Sequence, residues 1–144
     1  MCGITGFAEK HHEAARARDI VRAMADLIVY RGPDGEGYFV DDQVALGHRR
    51  LSIIDLEGGR QPMFNEDGNL VVVFNGEIYN FQALREELTA AGHTFATRSD
   101  TEVLLHGYEQ WGRDLPGRLR GMFTFVIWDR QKKSLFGARD IFGI

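Results

Sequence analysis

The chain's 144 residues fit one domain, and a domain of this size buries about 68–70% of the surface its unfolded chain exposes, which a 44% hydrophobic content can supply. A net charge of −4 with no Lys/Arg cluster offers no electrostatic grip on nucleic acid or an anionic membrane. No window approaches the roughly 18 apolar residues of a membrane span, and MCGITGFAEK lacks the basic flank and apolar run of a signal peptide.

Ile4–Ala8 reads as a short strand. Residues 13–29 read as a helix with Ile20, Val21, Met24, Leu27 and Ile28 as its core stripe. The glycines and Pro33 make Arg31–Gly37 a loop. Strands are expected at Gly37–Val40, Gln43–Leu46 and Arg50–Ile54, then a polar loop over Glu57–Asp67. Leu70–Phe74 suits a strand buried on both faces, and Asn75-Gly76 has the chemistry of a tight turn. Asn80–Ala91 reads as a second helix, with Phe81, Leu84 and Leu88 on one face and Gly92 as its stop. His93–Arg98 is a candidate strand, and Ser99 or Asp100 a candidate cap for a third helix running to Trp111. Met122–Trp128 and Ser134–Ala138 form a hairpin around Asp129–Lys133. Isolated helices among more numerous strands predict an α+β layered domain.

The single cysteine excludes an internal disulfide and suits a reducing cytoplasm, the expected location. His11, His12, His48, His93 and His106 match no common metal spacing, so no metal site is expected. The segment Gly32–Gly37 fits neither dinucleotide nor phosphate-loop patterns, so no nucleotide cofactor is expected either.

Cys2 is the most informative position. Once Met1 is removed, its thiol and a free α-amine share one residue. An α-amine with a pKa of about 7.7–8.0 can act as general base at neutral pH, so the nucleophile needs no histidine. A lone cysteine is equally readable as a small buried hydrophobe. Asn75-Gly76 can aim a side-chain amide and a backbone N–H at one oxygen, as an oxyanion hole does, or can be merely a turn. Arg50 can bind a carboxylate bidentately, or be a charge at a strand end. Asp100 can bind an ammonium, cap a helix, or both.

The segments MCGITGF, RGPDGEG, GHRRLSIIDLEGGRQPM, FNGEIYNF, RSDTEVLLHGYEQWG and LRGMFTFVIWD occur in register from Cys2 to the end of the chain. Together they resemble the class II, N-terminal-nucleophile glutamine amidotransferase domain of glutamine-hydrolysing asparagine synthetases. The resemblance implies an αββα layered fold over residues 1–144, incomplete at its C-terminus. It implies Cys2 as nucleophile, with Asn75 and Gly76 as the oxyanion hole. It places Arg50, Leu51, Ile53, Ile54, Asn75, Gly76, Glu77 and Asp100 around glutamine, with Arg31 and Asp34 beside the nucleophile. Tyr30 departs from the histidine common before Arg-Gly-Pro in relatives. Phe74 stands where the aminosugar and purine subfamilies usually have histidine before Asn-Gly. The implied activity is hydrolysis of glutamine to glutamate and ammonia through a Cys2 thioester. The implied partner is a C-terminal synthetase domain, absent from this chain, which alone would use ATP and Mg. A non-catalytic docking module or an inactive fragment is the alternative, and Met1 retained on Cys2 would favour it. The isolated chain is expected to be weakly active and to self-associate, which leaves a homo-oligomer open.

Overall fold

The computed structural model describes residues 2–51 and 59–143. Two antiparallel sheets stack face to face. The first has the order β1-β3-β2, from β1 (Gly3–Ala8), β2 (Gly35–Val40) and β3 (Val44–Arg50). The second has the order β4-β5-β6-β7, from β4 (Met63–Phe64), β5 (Leu70–Ile78), β6 (Gly121–Asp129) and β7 (Ser134–Arg139). Between them lie Val44 and Leu46 from β3, Val71 and Val73 from β5, and Trp128 from β6. Period-two alternation explains the choice. The odd residues of β5 face the first sheet, while Leu70, Val72 and Phe74 face the helices behind the second.

Helix α1 (Ala14–Asp26) covers the first sheet, and α2 (Phe81–Ala90), α3 (Thr101–Trp111) and the short α4 (Leu115–Arg118) belong to the second. The layers are therefore αββα, as the resemblance implied.

Several local expectations change. The buried face of α1 is Ala17, Val21 and Ala25, whereas Ile20 and Leu27 are exposed. The small residues Ala45 and Gly47 lie beneath it, and a Cβ on Gly47 would come 3.1 Å from Val21 Cγ2. The helix therefore sits close on its smallest side chains. Strand β2 begins at Gly35 rather than Gly37, and β3 continues unbroken from Val44 through His48 to Arg50. The polar loop before β5 contains β4, whose Met63 and Phe64 pair with Val72 and Val71. His93–Arg98 is not a strand. The Glu102 carboxylate accepts the backbone N–H groups of Ala96 and Thr97 (2.7 and 2.8 Å), taking donors a ladder would need.

Asn75 and Gly76 do not form the expected turn; β5 runs through them to Ile78, with Asn75 opposite Thr124 and Gly76 opposite Phe123 on β6. Gly76 adopts φ +147°. A Cβ there would fall on the carbonyl oxygen of Met122 and lie 2.7 Å from Phe123 Cα. Glycine lets the two strands approach at this point while β5 still brings its next residue, Glu77, to the cavity described below.

Candidate active site

A cavity of about 180 Å³ opens where the C-terminal ends of β3 and β5 meet the N-terminus of β1 and the start of α3. Cys2, Arg50, Leu51, Asn75, Gly76, Glu77 and Asp100 all line it. Residues separated by up to 98 positions in the chain are thus brought to one wall-to-wall space. Ile53 and Ile54 lie outside the described residues.

Cys2 is fixed by the strand that follows it. Gly3 pairs with Arg49 in the β1–β3 ladder, which sets Cys2 beside the end of β3. The Leu51 N–H points at Cys2 Sγ (3.4 Å), and the thiol reaches the Leu51 carbonyl (3.7 Å). The Arg31 Nε–H donates to the Cys2 carbonyl (3.2 Å), so Arg31 does sit beside this residue. The Asp34 backbone N–H donates to the Arg50 carbonyl (2.9 Å), which ties its loop to the same strand end. Tyr30 is 77% exposed, so the departure at that position leaves the cavity lining untouched.

The adjacent arginines separate by strand alternation. Arg49 turns toward α1, where it bonds the Ala25 carbonyl (3.2 Å) and Asp26, and it also pairs with Glu36 of β2 (2.6 Å). Arg50 turns the other way and lines the cavity.

On the opposite wall, both backbone polar groups of Phe74 are held by side chains. Its N–H donates to Gln61 Oε1 (2.6 Å), and its carbonyl accepts from His48 Nε2 (3.1 Å). His48 is buried. Burial lowers its pKa to about 4 against the opposing effect of the Phe74 carbonyl, and the Arg50 charge lowers it further. His48 is therefore a neutral ring with its proton on Nε2. It positions the strand immediately before Asn75 and Gly76 and has no proton to trade near pH 7. Asn75 Oδ1 is buried with no hydrogen-bond partner among the described residues, so this amide is not committed to a structural bond on its oxygen side.

Asp100 precedes α3, yet its side chain makes no cap bond. It accepts the Ile78 N–H (2.9 Å) instead, which joins α3 to the end of β5. Burial raises its pKa above the usual carboxylate range, against the Ile78 hydrogen bond, and the nearby Glu77 charge adds to the rise. A cation entering this corner would reverse that shift.

Sequence reasoning did not assign His48, Gln61, Ser99, Thr101 and Met122 to this lining. His48 and Gln61 stand inside the quoted GHRRLSIIDLEGGRQPM segment, so their signal was present without a role attached.

The whole chain, residues 1–144, matches the family described as a glutamine amidotransferase domain. The chain belongs to that family. Across its full length it is 51% identical to asparagine synthetase [glutamine-hydrolyzing] 1 of Bacillus subtilis (strain 168) and spans 23% of that protein. It is 42% identical to asparagine synthetase [glutamine-hydrolyzing] 3 of the same organism, spanning 24% of it. It is 40% identical to asparagine synthetase [glutamine-hydrolyzing] of Zea mays, again spanning 24%. The chain thus covers about a quarter of the length of these curated relatives. The structure of glutamine phosphoribosylpyrophosphate amidotransferase from B. subtilis superposes with a TM-score of 0.69 at 20% identity, over 90% of this chain and 35% of that one. That likeness supports the amidotransferase fold. No helix among the described residues is long and apolar enough to cross a membrane.

Proposed function

We propose that this glutamine amidotransferase domain hydrolyses glutamine at Cys2 and passes the ammonia to a synthetase partner that forms asparagine or a related amide. The observation that carries the reading is the cavity itself. One thiol, one guanidinium, a half-buried carboxylate with a second beside it, and an amide–glycine pair line a single space, and free glutamine offers a matching set of groups. Arg50 takes the α-carboxylate as a fork. Asp100, with Glu77 beside it, takes the α-ammonium, which restores the charge that burial disfavours.

With the Cys2 amine free, that amine accepts the thiol proton. The thiolate attacks the side-chain amide carbon, and the carbonyl π pair moves onto oxygen. The Asn75 amide and Gly76 N–H stabilise this oxyanion. Collapse breaks the C–N bond, and the leaving nitrogen takes the proton held by the amine and departs as ammonia. Water, deprotonated by the same amine, then opens the thioester to release glutamate and the thiol. Met1 retained on Cys2 would tie up the base in a peptide bond.

The test is a glutaminase assay on Cys2→Ala in the full-length parent, with ammonia-dependent synthesis measured in parallel. Hydrolysis should vanish and ammonia-dependent synthesis should persist. A variant that keeps most of its glutaminase rate would contradict the mechanism. Intact mass of the native chain reports directly whether Met1 has been removed.

A further inference from the structure

A second cluster of chemistry-bearing side chains lies outside the glutamine cavity, on α3 and the two loops packed against it. His106 and Glu109 stand at i and i+3 on α3 and so share a face. The connection after α2 brings His93 alongside, with the two imidazole centroids 5.1 Å apart. Glu109 Oε2 is 3.1 Å from His106 Nδ1 and 3.4 Å from His93 Nδ1. One ligand atom from each of the three residues falls within 4.8 Å of the others.

The 3.1 and 3.4 Å separations from Glu109 Oε2 to the two imidazoles suit one shared ion. Ligand atoms bound at about 2.0–2.1 Å in tetrahedral directions lie roughly 3.3–3.4 Å from each other. The far side of each candidate ligand faces an orienting group. His93 Nε2 is 3.2 Å from Gln110 Oε1. Glu109 Oε1 accepts from Asn65 Nδ2 at 2.7 Å. His106 Nε2, which is buried and lacks a hydrogen bond among the described residues, faces Glu102 Oε1 at 3.6 Å. A carboxylate or amide oxygen behind each ligating imidazole fixes the tautomer and turns the other nitrogen's lone pair inward. A proton on His93 Nε2, donated to Gln110 Oε1, leaves the Nδ1 lone pair toward the Glu109 carboxylate, an arrangement that a shared cation would complete.

We propose that His93, His106 and Glu109 hold one divalent transition-metal ion of the zinc type, with Glu66 or water completing four ligands. Glu66 Oε1 lies 3.8 Å from His106 Nδ1, on the β4–β5 turn. Two imidazoles with carboxylate oxygen favour zinc, cobalt or nickel over calcium and magnesium, which prefer all-oxygen shells. The ion fastens three segments: the α2–α3 connection, the β4–β5 turn and α3 itself. None of the three ligands lines the glutamine cavity, so the ion is structural. This departs from the expectation drawn from histidine spacing alone, because His93 and His106 meet only in the fold.

The competing occupant is a proton, with His106 as an imidazolium among Glu66, Glu102 and Glu109. Titration of the chain with Co²⁺ distinguishes the two, using a Cys2→Ala background that removes the only thiol. The metal site predicts the visible absorption of four-coordinate cobalt, saturating at one equivalent and abolished by Zn²⁺. His93→Ala and Glu109→Gln should each weaken binding at least about tenfold, and Glu102→Gln, which removes the charge behind His106 Nε2, by about 10–100-fold. His93 and Glu109 are not fully buried, so these variants can be confirmed as folded by circular dichroism. His11→Ala should bind as the parent does. Absence of the cobalt band at one equivalent, or parent-like affinity in folded His93→Ala and Glu109→Gln, would overturn the proposal and leave the proton as occupant.

Discussion

The two outer helix layers are anchored by very different means. Behind the second sheet, Leu84 and Leu88 of α2, Val103, Leu104 and Leu105 of α3, and Leu115 of α4 join Leu70, Val72, Phe74 and Phe125 in one continuous apolar core. Over the first sheet, α1 buries only small side chains among the described residues, Ala17, Val21 and Ala25, with Phe7, Tyr38 and Val40 packed against the cluster that Ala17 and Val21 form with Ala45. A polar hold is added by Arg49, which reaches from β3 to the Ala25 carbonyl and Asp26. The cavity draws on both halves. Cys2 and Arg50 sit at strand ends of the lightly packed sheet, whereas Asn75 and Gly76 lie on the heavily packed one and Asp100 leads into α3 behind it. Cys2 and Arg50 are therefore held by strand register and polar clips, and Asn75 and Gly76 by a deep core.

The sharpest way to break this comparison is to add one methyl on each side. Gly76→Ala places a Cβ on the Met122 carbonyl at positive φ, against the backbone of a paired strand. The expected destabilisation is above about 4–5 kcal/mol, the range reserved for severe clashes. Gly35→Ala in the first sheet meets only Arg50 Cβ at 3.8 Å and should cost less than about 1 kcal/mol. Thermal unfolding of both variants checks the contrast.

Core deletion should follow the same ranking. Leu104, with 0% exposure, should cost about 2–5 kcal/mol on change to Ala. Val21 is equally buried but sits among smaller groups, and Val21→Ala should cost roughly 1–2 kcal/mol. Equal losses in denaturant titrations would show that the α1 layer carries more of the core than its contacts indicate.

Next in size is Asn75→Ala. The kcat for glutamine hydrolysis should fall about 10²–10³-fold with little change in KM, because the donor acts on charge developed in the transition state. A normal kcat with a large rise in KM would move Asn75 from chemistry to binding.

The pH dependence follows from His48. Its folded pKa of about 4 lies below the unfolded value of 6.5. Below pH 6.5 the unfolded chain gains a proton that the folded chain refuses until about pH 4. Stability from this group is therefore complete above 6.5 and falls as pH drops toward 4, by up to about 3 kcal/mol. His48→Gln should flatten the difference between unfolding midpoints measured at pH 7 and pH 4.5. An unchanged slope in that variant would assign the acid sensitivity elsewhere.

Local pattern made much of this legible, and its failures have local causes. Leu70–Phe74 was readable as a strand because both its faces are apolar. Asn75–Ile78 was not, since the Asn-Gly pair has turn chemistry and only the distant β6 supplies its partner strand. The α1 stripe shifted because Ala45 and Gly47 beneath it could not be seen from the helix sequence. The His93–Arg98 segment lost its strand to Glu102, a side chain further along the chain that occupies its donors. For the cavity, Cys2, Arg50, Leu51, Asn75, Gly76, Glu77 and Asp100 were named from motifs and do line one space. The grip of His48 and Gln61 on the Phe74 peptide was not readable, because it depends on which way two strands face each other.

The central claim is that Cys2 forms a covalent γ-glutamyl intermediate in this cavity. The most direct measurement is acid quenching of the chain during glutamine turnover, followed by mass spectrometry of its N-terminal peptide. A glutamyl adduct is expected on a peptide that begins at Cys2, accumulating before glutamate reaches its steady rate. Glutamate release with Cys2 unmodified at every time point, or with the adduct on another residue, would contradict it.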